Sequence, residues 1–292
     1  MRPVTPAIWR GPLLALMLSA CATSAPQEAA WEPVAEFAPP PVLPELPDLS
    51  GFDLTNCAYS DDPTVALLSR ETVLYCGLLN AKGARLLDDM GTAETTVLLI
   101  ASGGGVLEAP LDVADIVVRN DLSVIAAGPC FSGCASAVFV AGNGRYTLAN
   151  AQLGFHNTAT SAAEIAKATF GQTDVFNFAP LQARSRREMA LYESKGVDPA
   201  LLLDPQSAIA TVCIAVNGAD AISGETILSI TSLFDLWVPD HAQLARYGLD
   251  YRELDTEPAV VKPYLERFRL VSTAPARSVR PGDYNRPVRI CN

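Results

Sequence analysis

The sequence predicts an α/β domain built on a parallel sheet, carried between an extended N-terminal tether and a C-terminal tail. Three observations predict it. An aliphatic run, Thr96 to Ala101, stops at Ser102 and three glycines; a helical apolar period follows between Val106 and Arg119; a second aliphatic run, Ser123 to Ala127, comes next. Runs apolar at every position suit strands covered on both faces, and strand, helix, strand in succession implies parallel strands joined by a right-handed crossover. With 292 residues, 49% of them hydrophobic and 18% charged, the chain can fill one substantial core and is not a low-complexity or disordered protein.

The N-terminus reads as a targeting segment. Arg2 and Arg10 precede the apolar run Pro12 to Leu18, which is too short to span a bilayer and has the form of a secretory signal, expected over residues 1–20. Leu18, Ser19, Ala20 and Cys21 resemble a bacterial lipobox, which implies cleavage before Cys21 and acylation of that residue. The plainer alternative is an ordinary signal peptide with small residues at its cleavage site. From residue 21 to about 50 the chain is rich in Pro and Ala, with Pro39, Pro40 and Pro41 in sequence. That composition predicts an extended linker standing the domain off a membrane.

Cysteine arithmetic agrees with export. With Cys21 lipidated, Cys57, Cys76, Cys130, Cys134, Cys213 and Cys291 form an even set suited to an oxidising compartment. Cys57 with Cys76 suits a local clip, and Cys291 suits a staple for the tail.

The domain is expected over residues 51–255. Within it, Val106 to Arg119 is the first helix, with Pro110 tolerated in its first turn. Gly128 and Pro129 are read as ending the second strand. Ser132 stands where a helix could begin, Gly133 to Ala141 is small and apolar enough to be that helix, and Arg145 to Leu148 and Gln152 to His156 are the next strands. Helices are expected over Leu181 to Lys195, Asp204 to Val216 and Asp240 to Tyr247. The tail, 256–292, holds seven Lys or Arg against three acids, which could meet an acidic partner or simply be solvated.

The chain's net charge of -11 excludes non-specific nucleic-acid binding. Two histidines and no close Cys/His quartet leave no structural zinc site, so no metal is expected. Gly103, Gly104 and Gly105, at a strand-to-helix junction, match neither a phosphate loop nor a dinucleotide fingerprint, and no cofactor is expected. They make either a tight turn or a place where a ligand meets bare backbone amides. Ser132 repeats that geometry one unit later. Alone it reads as a helix cap, but with a glycine amide from the first turn and the Gly133 N–H it would supply a nucleophile and two oxyanion donors. A serine hydroxyl needs a base. His156, at the end of a predicted strand, is the candidate; His241 opens a surface helix.

The series ASGGGV (101–106), GPCFSGC (128–134), AGNGR (141–145), AQLGFH (151–156) and RYGLD (246–250) resembles the ClpP-like serine peptidases of the ClpP/crotonase superfamily, and among them an exported branch with cysteines flanking the serine. The resemblance spans about residues 90–250. It implies a ClpP/crotonase-like spiral of repeated β-β-α units, assembly into homo-oligomeric rings, Ser132 as nucleophile, His156 as base, and Gly104 and Gly133 as oxyanion donors. It places the third, acidic member near Asp235, with Asp240 a competitor. Two departures stand out: Ala101, Ser102, Gly103 and Gly104 replace the family's Ser-Pro-Gly-Gly entry, and Cys130 and Cys134 bracket the nucleophile.

The function expected is an envelope-located serine hydrolase, lipid-anchored and facing the periplasm, cleaving peptide or protein substrates. The alternative is a non-catalytic scaffold or peptide-binding module on the same fold. Crotonase-type acyl-CoA chemistry fits an exported chain poorly. A Ser/Lys dyad with Lys167 or Lys195 fits the motif order less well than His156.

Overall fold

The computed structural model describes residues 43–105, 108–171, 175–255, 268–275 and 278–291. The expected signal peptide (1–20), Cys21, most of the linker, and residues 256–267 of the tail lie outside the described residues. A short helix, α1 (Leu54–Cys57), leads into the antiparallel strands β1 (Thr64–Leu67) and β2 (Thr72–Cys76). Then come α2 (Ala81–Met90), β3 (Val97–Ser102), α3 (Ala109–Arg119), β4 (Ser123–Phe131), a π-helical turn over Cys134–Phe139, β5 (Arg145–Leu148) and β6 (Gln152–Gly154). The seven-stranded sheet runs β1-β2-β3-β4-β5-β10, where β10 is Arg252–Leu254, with β6 also on β4; every pairing after β1 and β2 is parallel.

Burial explains why β3 reads as an unbroken apolar run. Leu98 and Ile100 face one apolar cluster with α2, α3 and the π-helical turn, while Leu99 and Ala101 face a second with Leu54, Ala58 and Leu148. Covered on both sides, a parallel strand has no solvent face to make polar. Leu43, Leu46 and Leu49 pack on the second cluster. The end of the expected linker is therefore part of the folded body: a spacing of three puts these leucines on one side of an extended chain with three residues per turn, despite the surrounding prolines.

Beyond the sheet lie α4 (Ala159–Phe170), α5 (Ala179–Ser194), a 3-10 turn at Pro199–Leu202, and α6 (Asp204–Ala208). The hairpin β7 (Thr211–Ala219) and β8 (Thr226–Ser232) follows, then β9 (Leu236–Trp237) and α7 (His241–Ala245). In the tail, β11 (Leu270–Val271) pairs in parallel with β9, and β12 (Arg289–Ile290) with β7, where a Cys213–Cys291 disulfide fastens it. Among the described residues no helix is long and apolar enough to cross a membrane.

Three expectations are corrected. The helix read over Asp204 to Val216 ends at Ala208; Ala210 turns the chain at φ 52°, and the β-branched Thr211, Val212, Ile214 and Val216 enter a strand. Gly128 and Pro129 do not end β4. They mark the place where its neighbour changes from β5, paired at Val124 to Ala126, to β6, paired at Pro129 to Phe131, a changeover at which a missing N–H does little harm. The first helix starts at Ala109, with Glu108, expected within it, standing before its first turn; Val106 lies outside the described residues.

Candidate active site

β4 delivers Ser132 to the end of the sheet, and the backbone there is left-handed, at φ 56°. A non-glycine residue pays steric strain for that conformation, and such strain concentrates at functional turns. The cap reading of Ser132 is set aside: no side-chain hydrogen bond caps the helix that follows. Instead the turn is a sharp strand-to-helix elbow that lifts the serine out of the sheet.

The elbow is held from several directions. Ser132 N–H donates to the Gly154 carbonyl of β6 at 2.8 Å, and the Ser132 carbonyl accepts from the Ser136 amide and hydroxyl at 2.9 and 3.0 Å. A disulfide joins Cys130, in β4, to Cys134, in the π-helical turn, so it closes over Ser132. The far end of the helical segment is closed by half-buried Arg145, which donates from Nε and Nη2 to the Val140 carbonyl at 3.2 and 3.0 Å. Burial lowers that guanidinium's pKa to about 10.

Gly104 sits directly against the elbow. Its φ is 102°, and a methyl group there would come within 2.5 Å of Ser132 Cβ. A methyl at Gly133 would strike Pro110 of α3 at 2.4 Å. The Gly133 amide belongs to the first turn of the helix, where N–H groups have no intrahelical acceptor. The Gly104 N–H, however, donates to Ser102 Oγ at 3.1 Å. Ser102, fully buried, went unremarked in the sequence as a functional residue, although a serine two positions before a turn amide is a recognisable local hydrogen-bonding signal.

His156 lies one residue past Phe155, which exchanges two 2.8 Å backbone hydrogen bonds with Trp237 of β9. Burial lowers the His156 pKa, with the nearby Asp235 carboxylate pulling the other way. Ser132, His156 and Asp235 all line one cavity of about 650 Å³, walled also by Tyr59, Phe131 and Phe268. Among the described residues no hydrogen bond joins His156 to Ser132 or Asp235. Both Asp235 oxygens are taken by Arg269: Oδ1 accepts from Nη2 at 2.7 Å, and Oδ2 from the backbone N–H at 2.7 Å and from Nε at 3.2 Å. These bonds hold the Asp235 pKa below the usual carboxylate range. A smaller cavity, about 180 Å³, lies on the other side of Ser132 beside Gly133, Leu181 and buried Glu188.

The alternatives fall elsewhere. Asp240 caps α7 through the Gln243 amide at 2.7 Å. His241 pairs with Asp250 at 2.6 Å on the surface, and neither Lys167 nor Lys195 lines either Ser132 cavity. The Cys57–Cys76 clip forms as expected.

No protein-family model matches the chain, and no curated protein matches it. Among solved structures it is similar to ClpP1 from Listeria monocytogenes, at 19% identity over 44% of this chain and 88% of that one, with a TM-score of 0.27. A point mutant of that ClpP1 aligns at 15% identity over 64% and 93% of the two chains, with a TM-score of 0.30. The functional reading therefore rests on the site's own residues.

Proposed function

We propose that the chain is a ClpP-like serine hydrolase that cleaves peptides through an acyl-enzyme, with Ser132 as nucleophile, His156 as base and Asp235 as the acid that orients it. The observation that carries this reading is the left-handed Ser132 elbow opening into the cavity that also holds His156. A low His156 pKa keeps the imidazole neutral, the form able to take the Ser132 proton. The Ser132 oxygen then bonds to the substrate carbonyl carbon, and His156 returns the proton to the leaving amine. Water, deprotonated in the same way, releases the acid product. The Gly133 and Gly104 amides would hold the oxyanion, which requires Gly104 to exchange its Ser102 acceptor for the substrate. Asp235 must likewise turn from Arg269 toward the imidazole.

Location belongs to the same proposal: a Cys21 lipid anchor at the bacterial envelope, the domain facing the periplasm, and assembly into homo-oligomers. The three disulfides agree with an oxidising compartment. A second reading, a non-catalytic peptide-binding scaffold, is favoured by the Asp235–Arg269 pairing, which leaves the site short of an assembled triad. A fluorophosphonate probe separates the two. The hydrolase reading expects labelling of Ser132, abolished in Ser132→Ala; no labelling of folded, oxidised protein would leave the scaffold.

A further inference from the structure

Residues 268–271 lie beside the candidate site in the manner of a bound peptide. β11 adds to β9 in parallel, pairing Leu270 with Leu236 and Val271 with Trp237, and the Val238 amide donates to the Val271 carbonyl at 2.8 Å. Just before this pairing the Asp235 amide donates to the Arg269 carbonyl at 2.8 Å, so the backbone contacts begin at the acid itself. Phe268 enters an aromatic wall of the Ser132 cavity, stacked on Tyr59 at 5.9 Å and edge-on to Phe131 at 5.8 Å. Arg269 meets the Asp235 carboxylate with a two-pronged guanidinium contact. Backbone pairing gives affinity and side-chain pockets give selectivity when an extended peptide joins a sheet edge.

The attachment of this segment differs from that of the tail around it. Further along, Ser278 Oγ and the Val279 amide donate to buried Asp204 at 2.5 and 3.0 Å, and Cys291 is bonded to Cys213. Residues 268–271 are held by non-covalent contacts: a two-residue strand with backbone bonds at Asp235, the Phe268 ring contacts, packing of Val271, and an ion pair whose arginine is 62% exposed. They can leave the groove without freeing the tail.

We propose that this groove is a subsite for an extended peptide bearing an aromatic residue followed by a basic one, and that Phe268 and Arg269 fill it as a built-in competitor. The proposal deepens the hydrolase reading by naming its substrate class, and depends on that reading only for what happens to the peptide after it binds. Displacement exchanges Arg269 for the peptide's own basic residue at the Asp235 carboxylate, so peptide entry renews the ion pair with a partner that can leave after cleavage.

The test uses the full, disulfide-intact chain carrying Ser132→Ala, so binding is read without turnover. A fluorescent peptide copying residues 268–272 is titrated against this chain and against the same chain with Phe268→Ala and Arg269→Gln. A tethered segment competes at high effective concentration, so the variant should bind about tenfold tighter or better. Replacing the peptide's aromatic residue by Ala, or its basic residue by Glu, should remove the gain. Equal affinity for both proteins, or no preference for the peptide over a scrambled one, overturns the proposal. Should the double variant fold poorly, the exposed single change Arg269→Gln is used, with amide exchange at residues 268–271 of the native-strap protein as a second readout; saturating peptide should accelerate it, and unchanged exchange counts against the proposal. Failure of the hydrolase reading shows instead as absent fluorophosphonate labelling, which these binding measurements do not touch.

Discussion

The two sides of the candidate site are built differently. The serine side is over-determined: strand, disulfide, the Gly154 carbonyl and the Ser136 contacts all fix one turn. The histidine and acid side hangs on the short strand β9, with its carboxylate engaged by an arginine from the tail. Strain at Ser132 persists because its surroundings leave it no relaxed alternative. Asp235, by contrast, lines the same cavity as His156 but is bonded to Arg269. Under the hydrolase reading, the nucleophile is thus pre-set while the charge that orients its base stays adjustable.

The sharpest way to break this comparison is Ser132→Ala. Under the hydrolase reading it should lower kcat by about a millionfold, as removal of a nucleophilic serine does elsewhere, with KM little changed in a peptide assay. Next is Gly104→Ala. Its methyl meets Ser132 Cβ and the Phe131 carbonyl at a φ that side chains avoid, so the elbow must move. A displacement near an ångström at a reacting group costs about a hundredfold, which fluorophosphonate labelling rates would show.

Opening the Cys130–Cys134 bridge by a double Ser substitution tests rigidity directly. Loop-closure entropy for so short a loop predicts about 2 kcal/mol of lost stability, readable from the urea midpoint. If labelling falls in parallel with stability in folded protein, the bridge also holds the elbow.

The smallest expected effects concern the other side. His156 has a folded pKa below its ordinary 6.5, so its burial favours the native state least in acid. The unfolded chain binds the proton first, and stability should decline as pH drops below about 6.5, levelling once pH passes the lowered folded value. His156→Gln should flatten that part of the stability profile. Arg269→Gln leaves the Asp235 charge uncompensated, which should move the acid limb of the pH–rate curve upward. The unfolding midpoint should hardly change, since the pair is exposed. An unmoved limb would mean that the acid does not reach the imidazole.

The same contrast governs what could be read from the sequence. The elbow is encoded within a few residues: an aliphatic run, a serine and a glycine beside a small apolar helix, so its elements are legible with modest errors at Pro129 and Glu108. The link between Asp235 and Arg269 spans 34 positions with no periodicity connecting them, and the residue was named without its true partner. Ser102 is hidden in the sequence because three glycines follow it, and its bond to the Gly104 amide appears only once the turn is folded. Residues 211–216 were misassigned because an apolar segment of that length suits a buried helix or a strand, and only its β-branching decided between them. The π-turn has no signature in a stretch of small residues.

One consequence follows from the Cys213–Cys291 bond. A protease that nicks the backbone anywhere between those two half-cystines produces two fragments that still migrate as one species until thiol is added. Loss of continuity beside the site would therefore escape a non-reducing gel, and a preparation judged intact by its mobility under oxidising conditions could already have residues 268–271 severed from one flank but not shed.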